Sequence, residues 1–377
     1  MEKYDYIICG AGLAGLSLAY RFCSPEFASK RILLIEKEEK LKNDRTFCHW
    51  AIEDGPYEDI VSQKWNYLEF KSLSLQKKFD ISPYQYKMIR GDDFYAFNLK
   101  KIRNSKHVTL IREKILQINE ADICTVKTED NIYTSDHVFK TFQDTKLDFS
   151  KSQYVSQHFM GWVIKTEGDM FTESSATFMD FNIPQKDETR FMYVLPTDTR
   201  HALVELAIFS NALLSVNEYE EVLKNYIEEH LDIQVYSIEE KERGVIPMTT
   251  YAFEKHDTNK ISHIGTASGA VKPSSGYAFA RIQEHIDLIC KLILEGNHPN
   301  EAQRLFKSKY KRYDRTFLNA ILSGKTNGEH VFSLMFRKLP PQLIFKFLDE
   351  KTSLFEELKV FTAPPMLPFI KAFLEEL

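Results

Sequence analysis

The fold of this chain is decided near its N-terminus by residues 4–16, YDYIICGAGLAGL. A run of aromatic and β-branched residues ends directly in Gly10, and Gly12 and Gly15 follow at the spacing G-x-G-x-x-G. The first glycine allows a tight turn, the second lets a pyrophosphate approach the backbone, and the third lets the next helix pack on the strand. The N-terminus of that helix would offer free N–H groups to phosphates. We therefore predict a dinucleotide-binding unit.

A second strand, residues 31–37 (RILLIEK), supports this prediction because it ends in an acid. An acidic side chain at this place bonds the ribose hydroxyls of a dinucleotide and repels a 2′-phosphate. Glu36 occupies this position at the end of the second predicted strand. The alternative is a glycine turn in an unrelated α/β protein.

Residues 261–279, ISHIGTASGAVKPSSGYAF, contain a second passage from strand to helix. In flavoproteins of the glutathione-reductase-like class, a late strand runs into a Gly-Asp-Ala sequence, a loop with Pro and Gly, and a helix whose N-terminus lies under the flavin. Gly265, Thr266 and Gly276 have the corresponding places, with Thr266 where the aspartate usually stands. Because a NAD dehydrogenase does not need this element, it indicates FAD. An ordinary capped helix is the alternative.

Two arginines are candidates for steadying the pyrophosphate. Arg45 lies in NDRTF and Arg90 in KMIRGDDF, each near the start of a predicted element. Either could equally be a surface charge.

The pattern of the remaining chain predicts an α/β protein with three parts. A Rossmann-type FAD-binding domain of the glutathione-reductase-like class would comprise residues 1–60 and 240–300. Short alternating segments predict an antiparallel substrate-binding sheet over 61–239, with interspersed FAD contacts. Residues 301–377 are expected to form a helical cap.

Composition excludes several classes of function. The net charge of −5, without a basic stripe, argues against nucleic-acid binding. Five scattered cysteines without a C-x-x-C pair argue against a disulfide framework or a metal site, and fit a reducing cytoplasm. We expect neither a signal peptide nor a membrane span.

Glu205 is the only ionisable residue inside the apolar run 202–209, ALVELAIF. Burial raises the pKa of a carboxyl group, and an acid that stays protonated near pH 7 is what a general acid requires. The preceding segment RFMYVLP would form a hairpin with this strand and carry Tyr193 close to the same face. The alternative is a solvent-facing glutamate held by Arg190.

A second acid, Glu242, lies in ERGVIP before a proline-terminated strand. A place near the substrate is one interpretation. A solvated residue in the charged run EEKERG is the other, and the sequence favours it.

Taken together, these segments resemble the lycopene cyclase family, of the FAD-dependent bacterial type, over nearly the whole chain. The resemblance is carried by YDYIICGAGLAGLSLA, KNDRTFCHW, KWNYLEFKS, YKMIRGDDFY, QHFMGWVIKTE, TFMDF, RFMYVLP, ALVELAIFS, ERGVIPMT and IGTASGAVKPSSGYAF. It implies that Glu205 is the catalytic acid, the first acid of an F-L-E-E-T-like motif. The chain departs from that motif at Leu206 and Ala207.

The resemblance implies an isomerase that closes the ψ-ends of lycopene, or of a related acyclic carotene, to β-rings. Reduced FAD would stabilise a cationic intermediate, with NADPH as reductant and no net redox change. Alternatives are another FAD enzyme of this fold, such as a polyprenyl reductase or hydroxylase, and a flavin- or carotenoid-binding relative without turnover. We expect a cytoplasmic protein, peripheral at the inner face of the cell membrane. Residues 330–348 would be either an interfacial helix or part of the cap.

Overall fold

A computed structural model describes residues 2–143 and 146–376 of the chain as a mixed α/β fold. The strands are β1 Glu2–Cys9, β2 Ile32–Glu36, β3 Thr46–Ala51, β4 Gln63–Trp65, β5 Tyr67–Ser72, β6 Leu75–Asp80, β7 Gln85–Arg90, β8 Val108–Arg112, β9 Ile115–Asn119, β10 Cys124–Thr128, β11 Ile132–Lys140, β12 Tyr154–Thr166, β13 Ser175–Asp180, β14 Thr189–Pro196, β15 His201–Phe209, β16 Tyr236–Thr249 and β17 Ile261–His263. The α-helices are α1 Leu13–Phe22, α2 Gly91–Arg103, α3 Val216–Asn225, α4 Phe279–Leu294, α5 Ser308–Leu322, α6 Gly328–Lys338, α7 Pro341–Leu348, α8 Leu354–Phe361 and α9 Met366–Leu374.

The first sheet has the strand order β8-β2-β1-β11-β10-β9, and β17 pairs with β11. Its strands β8, β2, β1, β11 and β17 run parallel, as the glycine motif predicts. β2 is buried along its whole length, which is typical of a strand covered on both faces. β1 lies between β2 and β11, so the loop after β1 opens at the point where the strand order reverses. In open α/β sheets this is where ligands bind.

The second sheet has the order β16-β12-β15-β14-β13-β5-β6 and is antiparallel except for the pair β13 and β5. Because side chains alternate along a strand, its two faces belong to different layers. One face packs on α3, and the other packs on the C-terminal helices and borders the first sheet's ligand edge. This is the antiparallel sheet that the alternating segments predict.

A small third sheet has the order β3-β7-β4, and its side chains enter two cores: Trp50 and Tyr86 lie in the core of the second sheet, and Ile89 lies in a core with β1 and β2. After α4 the chain is helical, as predicted for the cap. Val331, Met335 and Phe336 of α6 and Phe345 of α7 lie in the same apolar core as the second sheet. The apolar side chains of residues 330–348 are therefore part of the cap over the core, and contact of this segment with a membrane stays a prediction. Within residues 2–143 and 146–376, no helix is both long enough and apolar enough to cross a membrane.

The predicted boundary of the first region differs from the observed sheet. Strands β8 to β11, within the predicted substrate region 61–239, belong to the first sheet instead, where β8 pairs with β2 and β11 pairs with β1. The short alternating pattern of 108–140 comes from a parallel strand followed by an antiparallel meander, which local alternation does not distinguish from a separate sheet. The division of the chain into folding domains stays a prediction.

Candidate active site

One cavity of about 470 Å³ collects motifs that are far apart in the sequence. The glycine loop reaches it through Gly12, and the second loop reaches it through Gly265, Thr266 and Gly276. The second sheet contributes an acidic and aromatic wall, and the third sheet contributes its floor. The residues of these two sheets that line the cavity include Thr46, Cys48, Tyr86, Gln157, Tyr193, Glu205 and Glu242.

The glycine loop has the backbone that its sequence predicts. Gly10 has a φ of +99°, in the left-handed region that favours glycine. A Cβ at Gly15 would lie 1.9 Å from the carbonyl oxygen of Gly10, so the helix approaches the strand more closely than any side chain allows. No side chain caps the N-terminus of α1 in the described residues. Its first N–H groups therefore face the cavity as an anion site.

Glu36 is buried at the end of β2, and its carboxylate is already engaged by the backbone. It accepts hydrogen bonds from the N–H groups of Ala11 at 2.7 Å, Lys37 at 2.9 Å and Glu38 at 3.0 Å. The bond to Ala11 fixes the glycine loop against β2. This structural role stands beside the predicted ribose contact, which stays a prediction.

The two candidate arginines are placed differently. Arg45 lines the cavity and is exposed. Arg90 is absent from the lining and forms ion pairs with Glu240 at 2.7 Å and Asp92 at 3.2 Å. Lys40, which was not a sequence candidate, lines the same cavity as Arg45. The cations that line the cavity beside the glycine loop are thus Arg45 and Lys40, of which Lys40 also pairs with Glu38 at 3.0 Å.

Around the second loop, buried polar atoms lack partners within the described residues. The side-chain oxygens Oε1 of Gln157 and Oγ of Ser275 have no hydrogen bond, and both residues line the cavity. Thr266 is exposed beside them. A buried polar atom without a partner is costly, so these atoms indicate a polar ligand in this part of the cavity.

The acids of the site form one row across four strands of the second sheet. Glu242 on β16 is paired with Gly161 on β12, Gly161 with Glu205 on β15, and Glu205 with Tyr193 on β14. Residues directly opposite each other in antiparallel strands point to the same face. Both acids and the tyrosine therefore face the cavity, as the hairpin predicts for Tyr193.

Gly161 lets the two carboxyl groups meet. A Cβ at this position would lie 2.8 Å from Cδ1 of Leu203 and 3.3 Å from Oε2 of Glu205. Any side chain would enter the space above Gly161 through which Glu205 and Glu242 reach each other. A single glycine inside a strand often marks a place where two groups approach closely. This pattern was the one sequence signal that pointed to Gly161.

Burial raises the pKa of both acids of this pair. Burial raises the pKa of Glu205 well above its ordinary value, and the nearby carboxyl of Glu242 raises it further. Burial also raises the pKa of Glu242, while the hydroxyl of Thr46, which donates to its Oε2 at 2.8 Å, opposes that shift. No ion pair joins either acid to a cation in the described chain, and Arg190 pairs with Glu188 instead. The raised pKa of Glu205 suits this side chain to hold a proton near neutral pH, as a general acid must.

Glu242 differs from the interpretation that the sequence favours. It is buried, although its neighbours Lys241 and Arg243 are exposed. The charged run EEKERG is a strand whose alternate residues face water and the cavity, and composition alone does not reveal which set faces inward.

Three tyrosines surround the acid pair. The hydroxyl of Tyr277 lies 2.9 Å from that of Tyr86 and 3.4 Å from that of Tyr193. Burial raises the pKa of each phenol, so all three stay neutral. Cys48 lies beside them, and burial raises the pKa of its thiol. The wall around Glu205 is aromatic and uncharged, and of these four residues only Tyr193 was a sequence candidate.

The two departures from the F-L-E-E-T-like motif lie on opposite faces of β15. Leu206 is buried in the core against α3, away from the cavity. Ala207 lies on the cavity-side face, in the core that also contains Tyr193. Leu206 therefore does not contact the site.

Within the described chain, no group of His, Cys, Asp or Glu side chains is placed to bind a metal ion.

Comparison with known sequences finds one family over almost the whole chain. A family model described as "Lycopene cyclase protein" matches residues 5–374. A curated lycopene beta-cyclase of Pseudescherichia vulneris is 24% identical over 203 residues, which cover 52% of this chain and 52% of that protein. The match thus spans about half the length of the curated relative.

Comparison with solved structures finds flavoprotein folds. A geranylgeranyl bacteriochlorophyll reductase-like protein of Thermoplasma acidophilum matches with a TM-score of 0.67 and 13% identity, covering 100% of this chain and 99% of that one. The halogenase PltM, as a variant in complex with FAD, gives 0.63 and 11%, covering 92% and 82%. The flavin-dependent brominase Bmp2 gives 0.59 and 13%, covering 99% of both chains. At these identities the likeness shows the fold.

Proposed function

The chain belongs to the lycopene cyclase family, and from that premise we propose that it closes the ψ-ends of lycopene to β-rings, giving γ-carotene or β-carotene. The reaction is an isomerisation without net oxidation or reduction. One observation carries the proposal: the cavity that begins at the dinucleotide loop ends at two neighbouring carboxyl groups, both with raised pKa values, inside an aromatic wall.

FAD is the cofactor that fits this cavity. The uncapped N-terminus of α1 suits a pyrophosphate, and the unpartnered Gln157 and Ser275 suit a polar ring system. Lys40 and Arg45 supply positive charge at the phosphate end. Reduced FAD, with NADPH as the reductant, would supply negative charge that stabilises a carbocation in the cavity.

Glu205 is the proposed proton donor. Its protonated carboxyl would transfer a proton to the terminal double bond of one ψ-end, and the resulting tertiary cation would be attacked by the neighbouring double bond to close a six-membered ring. Loss of a ring proton back to the carboxyl pair restores Glu205 and completes the isomerisation. Glu242 orients the acid through their hydrogen bond and keeps the pair's proton affinity high.

The aromatic wall would protect the cation. Tyr193 and Tyr277 present π faces that stabilise a nearby positive charge, and their neutral phenols bring no competing base. Exclusion of water matters because water would trap the cation as an alcohol.

The test is pigment analysis of a lycopene-accumulating bacterium that expresses the chain. Wild type is expected to form cyclic carotenes, and Glu205→Gln is expected to leave lycopene unchanged while the purified protein still binds FAD. Glu239→Gln, which changes an exposed acid on β16, is the matched control and should cyclise normally. Cyclic product from Glu205→Gln would exclude Glu205 as the donor.

Two other functions compete with cyclisation: a reductase or hydroxylase of the same fold, and a protein that binds flavin or carotenoid without turnover. The amount of NADPH consumed for each product formed distinguishes a cyclase from a reductase or hydroxylase. A cyclase consumes NADPH only to reduce FAD, so product should exceed NADPH oxidised, whereas a reductase or hydroxylase would consume one NADPH for each product.

We extend the proposal to location. A carotene is a hydrocarbon that partitions into lipid, so an enzyme without a spanning helix in its described part would take it from a membrane surface. The proposed location is the cytoplasm, peripheral at the inner face of the cell membrane.

A further inference from the structure

The last two helices expose their apolar faces to solvent. On α8 the side chains of Leu354, Phe355 and Leu358 are exposed, Phe355 by 81%. On α9 the same holds for Leu367 and Ile370, with Leu367 exposed by 72%. Single exposed leucines are common on protein surfaces, but a cluster of this size marks an interaction site.

The acids of α8 point the opposite way, toward the protein. Glu356 pairs with Lys346 at 2.7 Å. Glu357 is 1% exposed and accepts from Lys309 at 2.6 Å and from the hydroxyl of Tyr313 at 2.9 Å. An ordinary surface helix buries its apolar side chains and exposes its charges, whereas α8 exposes Leu354, Phe355 and Leu358 and buries Glu357 together with Val360.

The exposed charges within α8 and α9 are positive. Lys359 and Lys371 are exposed and have no ion pair in the described chain. Glu375, which follows α9, is paired with Lys325 at 2.8 Å. The apolar faces are therefore accompanied by free cations and by neutralised acids.

A third element joins the same surface. Leu73, in the turn between β5 and β6, is 90% exposed. Arg337 at the end of α6 donates to the carbonyl of Ser74, and Lys338 donates to the carbonyl of Ala363 at 2.9 Å. These bonds tie the β5–β6 turn and the α8–α9 connection to one exposed basic pair.

We propose that Leu73 and the exposed faces of α8 and α9 dock on a lipid bilayer that contains anionic phospholipid. The apolar side chains would enter the acyl region while Arg337, Lys338, Lys359 and Lys371 contact the headgroups. A second copy of this chain would present the same lysines to each other, which disfavours it. The inference rests on the proposed function for its purpose, the supply of an apolar substrate.

The docking surface lies on the apolar core of the site. Val360, on the buried side of α8, belongs to the same hydrophobic core as Tyr193 of the cavity wall. The proposed docking surface and the wall of the site therefore border one continuous apolar core.

The test is flotation of the full-length, FAD-loaded protein with vesicles of phosphatidylcholine, alone or with phosphatidylglycerol. Wild type should bind the mixed vesicles. The double change Phe355→Ser, Leu367→Ser should weaken binding to them about tenfold or more. Lys359→Gln with Lys371→Gln should also weaken it about tenfold, and added salt should reduce that difference. Leu116→Ser, at an exposed leucine on β9, is the control.

Two outcomes would overturn the proposal. Undiminished vesicle binding by the Phe355→Ser, Leu367→Ser variant would do so, as would a dimer in analytical ultracentrifugation that the same variant abolishes. Cyclase activity on detergent-dispersed lycopene separates this result from the proposed function. Activity in detergent without vesicle binding would contradict only the proposed docking surface. Vesicle binding without activity would contradict only the proposed cyclase function.

Discussion

At the scale of single residues, the chemistry of the site depends on a position without a side chain. Gly161 separates Glu205 from Glu242 in the row across β15, β12 and β16, and its missing Cβ leaves the space in which their carboxyl groups bond. Burial is the main cause of the raised pKa of Glu205, and the neighbouring carboxyl of Glu242 raises it further.

Gly161→Ala should therefore impair both stability and cyclisation. The new methyl group would press on Leu203 and Glu205, and overpacking of this kind costs about 1–3 kcal/mol. Gly168→Ala, where a Cβ meets no atom within 4 Å, is the control and should change little. Urea unfolding and pigment formation measure the two effects. Normal cyclisation by Gly161→Ala would show that the gap between the acids is not needed.

The raised pKa of Glu205 also predicts a pH dependence of stability. An unfolded glutamate titrates near pH ~4.3, so above that pH the folded state binds more protons than the unfolded state. The free energy of unfolding should fall as pH rises through this window, and Glu205→Gln should remove part of the fall. The stability advantage of Glu205→Gln over wild type should be larger at pH 8 than at pH 5 in urea unfolding. A pH-independent difference would contradict the raised pKa.

At the scale of elements, the loop that carries Tyr277 is clamped by a buried lysine. Lys272 is 2% exposed and pairs with Asp314 of α5 at 2.9 Å and with Glu350, after α7, at 3.0 Å. Its backbone N–H also donates to the carbonyl of Tyr277. The C-terminal cap thus holds the cofactor-facing loop in place.

Lys272→Met should destabilise the protein by about 3 kcal/mol or more, because it leaves Asp314 buried without its cation. FAD affinity should fall with it, since the loop bearing Ser275 and Gly276 loses its anchor. Lys351→Met, which breaks an exposed pair with Glu284, should cost less than about 1 kcal/mol. Thermal unfolding and flavin fluorescence titration report both effects. Equal losses from the two variants would refute the clamp.

At the scale of the whole molecule, the cavity joins all three sheets, so a ligand in it ties the parts together. FAD should raise the Tm of the apoprotein, with a stabilisation of about 2.7 kcal/mol when free FAD is 100 times its Kd. NAD should raise the Tm less than FAD does, because NAD has no flavin ring to hydrogen-bond with the side chains of Gln157 and Ser275. Differential scanning calorimetry with each dinucleotide checks this. An equal shift with NAD would contradict the assignment of those side chains to a flavin.

Local sequence signals predicted the fold well where the physics is local. Gly10 and Gly15 after an apolar strand specify the turn and the close packing of the helix, because a side chain fits neither the backbone of Gly10 nor the space at Gly15. The apolar run around Glu205 predicted the desolvation that raises its pKa. An arginine near a helix start suits a phosphate and a carboxylate equally, so the sequence did not distinguish Arg45 from Arg90, which pairs with two carboxylates.

The sequence by itself determined a dinucleotide-binding edge, an antiparallel sheet and an acid with a raised pKa, because these follow from turn chemistry, alternation and burial. Only the tertiary structure decided that Glu242 meets Glu205, that Leu206 faces away, and that α8 and α9 turn their apolar faces outward. Strand register and helix orientation depend on contacts between residues far apart in the chain. No local pattern of residues contains that information.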